Sequence, residues 1–250
     1  LIVDLRENEG GIDCGDRILA RLADRAIARP KADRLVRYRQ TPAALNPYLD
    51  TWDDSFRDWG DQAVPFNDRF LRLKRWEDDA TITPAGPRVT VPMAVLIGPQ
   101  NSSATFQFAS LAKATGLGSL IGGTTGGNRR GINGGAFFFA RLPESGIEFD
   151  VPLIGYYPQS RQPDAGIEPD IRVPQISDPD ARKRSERTMR ESDLRGHLIN
   201  EVNLDDKQLE TDKQDDPRFR MTAEQLKSKG IKDFQLHYAL ETLKRTSGTG

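Results

Sequence analysis

The sequence predicts a mixed α/β fold, and three stretches carry that expectation. Val91, Met93, Val95 and Ile97 alternate with Ala94 and Leu96 in an apolar run that reads as a buried strand. It breaks at Gly98-Pro99-Gln100-Asn101, and a helical pattern with Phe108, Leu111 and Ala112 follows over 104–115. Asp16 heads a second helical segment, in which Ile18, Leu19, Leu22, Ala23, Ala26 and Ile27 share one face and Pro30 is the stop. Residues 136–142 and 147–154 read as two strands of a hairpin joined by Pro143-Glu144-Ser145-Gly146.

Composition bounds the class. With 250 residues, 36% hydrophobic and 29% charged, the chain supports one substantial core plus an appendage, and a formal net charge of −1 argues against nucleic acid as a partner. No apolar run is long enough to cross a bilayer. The opening Leu1-Ile2-Val3-Asp4-Leu5 is already strand-like and has no initiator methionine, which reads as a fragment or a processed chain. Cys14 is the one cysteine, so no intramolecular disulfide forms, and it reads as a small half-buried thiol behind a glycine turn. His197 and His237 both fall in the charged C-terminal segment, which excludes a Ser-His-Asp triad built within the core of this chain.

The remaining elements follow in order. After the strand at 1–5, Arg6-Glu7-Asn8-Glu9-Gly10-Gly11 is a polar loop closing on two glycines, suited to an oxyanion hole and equally to an ordinary turn. From 31 to 91 the pattern loosens: arginines mix with Tyr38, Tyr48, Phe56, Phe66 and Phe70, and all three tryptophans (Trp52, Trp59, Trp76) lie here among prolines. This stretch reads as an insertion, either a lid over a site or a satellite core around the aromatics. Residues 119–121 form a short strand ahead of Gly122-Gly123-Thr124-Thr125-Gly126-Gly127-Asn128-Arg129-Arg130-Gly131. That loop lacks the Lys-Ser/Thr of a P-loop and the spacing of a dinucleotide fingerprint, so nucleotide binding is discounted. Ile171 and Val173 mark a last short strand. The core then runs over 1–175, and 176–250 is a charged tail, partly helical or disordered, ending in an amphipathic helix with Phe234, Leu236, Tyr238, Leu240 and Leu243.

The chemistry of the strand-to-helix turn singles out Ser102 and Ser103. The first N–H groups of a helix lack intrahelical partners and the helix dipole favours negative charge there, so an oxyanion forming beside Ser103 would meet the amide of Ala104. Taken alone, either serine is an ordinary helix cap. The sequence is not GxSxG, so the elbow signature of α/β hydrolases is absent.

Four blocks in order, LIVDLRENEGG (1–11), VLIGPQNSSATF (95–106), LIGGTTGGNRRG (120–131) and DAGIEPDIRV (164–173), resemble the protease core of the C-terminal processing peptidases, or tail-specific proteases. The long insertion and the GGNRRGINGG continuation resemble the family's tricorn-like branch, while SDLRGHL (192–198) and IKDFQLHYALETL (231–243) are similar to the C-terminal end of bacterial processing peptidases. The resemblance turns the serine from a cap into a nucleophile. It implies a crotonase-like α/β spiral sandwich of ββα units, catalytic Ser103, an oxyanion hole from Ala104 with Gly10 or Gly11, and Thr125 as the threonine of the third block. It also implies a polypeptide substrate, neither metal nor organic cofactor, and a bacterial periplasmic or envelope location. For the whole protein it leaves open an upstream peptide-recognition domain or a homo-oligomer.

One position departs from the resemblance. Where processing peptidases carry a lysine general base, this sequence has Asn128, whose amide has no lone pair basic enough to take a proton. Arg129 and Arg130 stay protonated, and Lys113 lies ten residues along the serine helix, roughly 15 Å up its axis. The tricorn-like branch implies a histidine from upstream of Leu1, with Asp164 and Glu168 as local carboxylates that orient it or simply shape a turn. Two rivals stand beside the peptidase: a peptide-binding module without its base, and an enzyme of the same fold acting on acyl or thioester substrates.

Overall fold

The computed structural model describes residues 1–12, 14–74, 81–173 and 223–247. Within them the chain forms β1 (Ile2–Asp4), α1 (Gly15–Leu22), β2 (Ile27–Ala28), β3 (Ala32–Val36), β4 (Leu49–Asp50), β5 (Ala63–Pro65), β6 (Leu71–Leu73), β7 (Thr81–Ile82) and β8 (Ala94–Ile97). There follow α2 (Ser103–Thr115), β9 (Ser119–Gly122), β10 (Ile132–Arg141), β11 (Glu148–Pro158), β12 (Ile171–Arg172), α3 (Ala223–Ser228) and α4 (Phe234–Ser247).

A four-stranded parallel sheet, ordered β1-β8-β9-β12, positions the candidate serine. Side chains alternate across a strand, and β8 is buried on both faces. Val95 and Ile97 pack with Leu19, Leu22, Phe106, Phe108 and Leu111 of α1 and α2. Ala94 and Leu96 pack instead with Phe234 and Ala239 of α4. The terminal amphipathic helix thus docks back on the core and covers the sheet face opposite α2.

A second, antiparallel sheet has the order β4-β10-β11-β3-β6-β5. Its spine is the expected hairpin, closed by Leu142 N–H donating to Ile147 O at 2.9 Å. The two strands are longer than their apolar runs suggest, because β10 continues back through Gly134 and Gly135 to Ile132. The 31–91 stretch gives this sheet β3, β4, β5 and β6, and its Val36, Phe56, Trp59 and Leu73 build a second core with Ala136, Phe138 and Ile154 of the hairpin. Tyr38 seals that core by donating from its hydroxyl to Phe56 O at 2.6 Å, and burial raises its pKa.

The structure corrects three local expectations. Helix α1 stops at Leu22 rather than at Pro30: Ala23 turns to an extended conformation and Ile27 leaves the helical face to pair with Ile82 in a small antiparallel ribbon. Cys14 occupies the N-cap of α1 with its side chain exposed, not half-buried. The strand ahead of the serine begins at Ala94, and Val91 is exposed, since Pro92 has no N–H to give a ladder. Trp76, His197 and the charged stretch expected between 176 and 222 lie outside the described residues.

Candidate active site

Strand β8 delivers its chain to a tight turn, and the first residue of α2 is Ser103. Its φ is +45°, the one positive value among the described non-glycine residues. An L-residue with a Cβ avoids that region, and strain of this kind is of order 1–3 kcal/mol, sustained only where the surroundings over-determine it. Here they do. Asn101, fully buried, accepts at Oδ1 from Gly98 N–H at 2.8 Å, and its Nδ2 donates to Leu5 O and, at 3.0 Å, to Asn8 O. Its own carbonyl accepts from Gly126 N–H at 2.9 Å and Gly127 N–H at 3.0 Å. One side chain and one peptide unit thereby tie together the first loop, the serine turn and the glycine-rich loop.

Neither serine caps α2 with its side chain. Ser102 Oγ donates to Glu9 O at 2.7 Å, and Thr105 Oγ1 contacts Asn8 O at 2.9 Å, so the 7–11 loop is stitched along the mouth of the helix. Ser103 is half-buried and its Oγ makes no hydrogen bond with the described residues. It faces Gly134 of β10, where an added Cβ would stand 3.9 Å from Oγ.

The glycine pair divides its work. Gly10, at φ +120°, lies so close that a Cβ there would be 2.7 Å from Ser103 Cβ and 3.2 Å from Ala104 N; only glycine permits this approach. Its N–H is already given to Asn8 Oδ1 at 2.9 Å. Gly11 is exposed, and nothing stands within 4 Å of the position of a Cβ. The amides of Gly11 and Ala104, like those of Ser103 and Thr105, have no hydrogen-bond partner among the described residues.

The other candidates hold the frame. Thr125 is fully buried: its N–H donates to Ile167 O at 3.1 Å and its Oγ1 accepts from Ile167 N–H at 2.8 Å, locking the 164–170 loop in place. Asn128 is also buried. Its Nδ2 donates to Asp164 Oδ1 at 2.6 Å and its Oδ1 accepts from Arg130 N–H at 2.9 Å, so both ends of the amide are spent. Asp164 is further paired with Arg130 at 3.3 Å, while Arg129 is exposed and donates to Gln162. Glu168 accepts from Thr124 and Arg172. Lys113 reaches Glu168 O at 2.6 Å and Asp170 at 3.1 Å at the far end of α2. His237 sits on α4, across the parallel sheet from Ser103.

Sequence reasoning placed the serine and the glycine pair but passed over two residues. Asn101 looked like a turn breaker, and only its burial and the five hydrogen bonds of its side chain and carbonyl reveal a brace. Gly134 lay ahead of the strand expected at 136–142, yet it belongs to β10 and a Cβ there would stand 3.9 Å from the serine oxygen. The two adjoining glycines, Gly134 and Gly135, at the start of an aromatic strand were the signal available, since glycine inside a strand marks a close approach.

The model of peptidase family S41 matches residues 1–173. Among solved structures, a mutant of CPAF is 19% identical with a TM-score of 0.44, covering 74% of this chain and 40% of that one. The photosystem II D1 C-terminal processing protease is 17% identical with a TM-score of 0.37, covering 77% of this chain and 39% of that one. The chain thus spans about 40% of the length of these structures. No curated protein matches the sequence.

Proposed function

Because the chain belongs to peptidase family S41, we propose that it is the core of a serine endopeptidase that cleaves polypeptides through an acyl-enzyme on Ser103. The observation that supports this reading is Ser103 at the head of α2, held at a φ of +45° with its oxygen unbonded among the described residues and the Gly10 backbone packed against its Cβ. Ser103 Oγ attacks the scissile carbonyl carbon and its proton passes to a base. The oxyanion is held by the Gly11 and Ala104 N–H groups, reinforced by the positive end of the α2 dipole. The intermediate collapses as the base returns its proton to the departing amine; water then attacks the acyl-enzyme, giving a proton to the base, and collapse of the second intermediate releases the carboxylic acid and returns the proton to Ser103. Asn128 has no part in proton transfer: it is an amide with both ends bonded, so the base comes from elsewhere in the protein.

This architecture suits the crotonase-like spiral expected from the resemblance, with α2 presenting the nucleophile between the two sheets. A periplasmic or envelope location belongs to the same reading, and cell fractionation tests it; no helix among the described residues is long and apolar enough to cross a membrane.

The locked Asn128 also favours a second reading, a peptide-binding module that has kept the cleft without its base. A serine-directed fluorophosphonate separates the two. Mass spectrometry of the full-length protein finds the adduct on Ser103 if it is a peptidase, and Ser103→Ala abolishes it together with hydrolysis of an unstructured protein such as casein. An unmodified Ser103 in folded, full-length protein selects the binding module.

A further inference from the structure

Gln235 is a polar side chain only 3% exposed, on a helix that docks against the parallel sheet through apolar Phe234 and Ala239. A buried amide is costly unless both of its ends are bonded, and here both are. Its Oε1 accepts from Arg6 Nη1 at 3.2 Å and its Nε2 donates to Val173 O at 2.8 Å. A Cβ on Gly122 would stand 3.4 Å from the same Nε2. Arg6, Gly122 and Val173 lie at or just past the carboxyl ends of β1, β9 and β12. In parallel sheets those ends carry the ligand-facing loops. Here β1 and β9 lead into the 7–11 loop and the glycine-rich loop, which Asn101 ties to the serine turn. The first turn of α4 therefore meets the strand ends that feed the candidate site.

Arg6 passes that contact on. Its side chain is 13% exposed, and every N–H of the guanidinium is used: Nε and Nη2 on Asp4, Nη1 and Nη2 on Asp233, and Nη1 on Gln235. A planar fork filled in this way has one orientation relative to its acceptors. The main chain of Arg6 runs between two fixed points. Leu5 O accepts from Asn101 Nδ2 and, at 2.8 Å, from Asn8 N–H. Asn8 in turn holds Gly10 N–H, and Gly10 is packed against the Ser103 Cβ. Bonded groups thus run without a break from Gln235 through the Arg6 fork and the Leu5–Asn8 turn to Gly10.

We propose that Gln235, together with Asp233, is a positioning residue for the reaction: through Arg6 the docked C-terminal helix sets the 7–11 loop against Ser103, and the oxyanion donors are aligned while this joint is made. The catalytic part rests on the peptidase reading, whereas the coupling of helix to loop does not. The apolar side of α4 holds the helix on the sheet, so the joint can be cut without undocking it. Cutting it leaves the Arg6 fork with Asp4 alone. The freed N–H groups of a part-buried cation must find water, and the Leu5–Asn8 turn shifts to let them.

The test compares full-length wild type with a joint variant, Asp233→Asn plus Gln235→Met, and with Leu243→Ala, which weakens the apolar side of α4 and leaves the joint intact. Hydrogen–deuterium exchange should be about tenfold faster over 5–12 in the joint variant while 94–97 and 236–247 stay protected. On a peptide substrate, at a temperature where melts show every protein folded, kcat should fall about tenfold or more with KM within about twofold. Arg6→Lys keeps the charge but cannot span Asp4, Asp233 and Gln235 at once, so it should behave alike. Leu243→Ala should lower Tm and leave kcat and the exchange of 5–12 within about twofold of wild type. Unchanged exchange over 5–12, wild-type kcat in a joint variant, a loss carried by KM alone, or an equal loss of kcat in Leu243→Ala overturns the proposal. Gln235→Met alone, which keeps the charged pair, takes the place of the double variant if that does not fold, and the same outcomes decide. If wild type neither hydrolyses peptide nor takes up the fluorophosphonate, the peptidase reading falls, and the exchange comparison still decides whether α4 sets the loop.

Discussion

Arg6 grips Asp233 with both arms of its guanidinium, Nη1 to Oδ1 at 3.0 Å and Nη2 to Oδ2 at 2.7 Å. The two residues are 227 positions apart in the chain. Arg6 opens the loop that carries Gly10 and Gly11, and Asp233 caps α4, accepting Leu236 N–H at 3.0 Å. Asp4 completes the cluster from the other side of the same guanidinium, at 2.6 Å. The docked C-terminal helix and the loop beside the candidate serine therefore share one charged joint.

This joint makes stability depend on acid. Burial raises the carboxyl pKa of Asp4 and of Asp233, but hydrogen bonds and charge from Arg6 outweigh it, and both end below the ordinary value of 3.8. Groups with depressed folded-state pKa values stabilise above their unfolded pKa, and that contribution disappears as pH falls through the folded value. Asp233→Asn keeps a capping oxygen and removes the charge. Because the side chain is 36% exposed, screening limits the loss to about 1 kcal/mol, a fall in Tm of roughly 2–4 °C at pH 7. Thermal melts at pH 7 and pH 3 check this: the wild-type and variant curves should converge in acid and in high salt.

The strained serine trades stability for reactivity. Ser103→Gly relaxes a φ of +45° and should stabilise the fold by about 1 kcal/mol while removing the nucleophile. Peptide hydrolysis and fluorophosphonate labelling should fall by roughly 10³-fold or more. Ser103→Ala loses activity equally but keeps the strain, so a higher Tm for Gly than for Ala is the signature of a serine held out of its preferred backbone region.

The strand ahead of the serine and the helix after it were legible because their causes are local. Val95 and Ile97 advertise a strand, and Gly98 and Pro99 advertise its end. The α1 boundary was misread because periodicity alone does not reveal that Ile27 has a partner in Ile82, 55 residues away. Residues 31–91 gave no clear element because short strands with prolines and arginines are stabilised by pairing with the 132–158 hairpin and with one another, a tertiary effect. At the site, the residue types of Ser103, Gly10 and Gly11 were visible in order, but which glycine keeps an open N–H was not. That depends on the side chain of Asn8 bonding Gly10.

Gly10 is the sharper test of the glycine pair. Gly10→Ala places a methyl group 2.7 Å from Ser103 Cβ at a φ of +120°, so the loop must retreat. The retreat should misplace Gly11 as well, and activity should drop by about 10²–10³-fold, the effect of losing one oxyanion donor. Gly11→Ala meets no neighbour, although its φ of +118° is still unfavourable for alanine, so its larger effect should be on kcat with a smaller fall in Tm than Gly10→Ala. Steady-state kinetics paired with melts of both variants separates the two roles.

Asn101 ties three loops through chemistry that a carboxylate cannot reproduce. In Asn101→Asp the shape is kept, but the Nδ2 donor that faces Leu5 O and Asn8 O becomes a charged acceptor against two carbonyls. The fully buried position offers no water to relieve it. A destabilisation of about 3 kcal/mol or more is expected, the penalty for a buried charge without its donors. Protonation of the new carboxyl restores one donor, so the deficit relative to wild type should shrink as pH is lowered from 8 to 5. Urea denaturation at those two pH values would show it, and an equal deficit at both would mean that Asn101 fills space without bracing the turn.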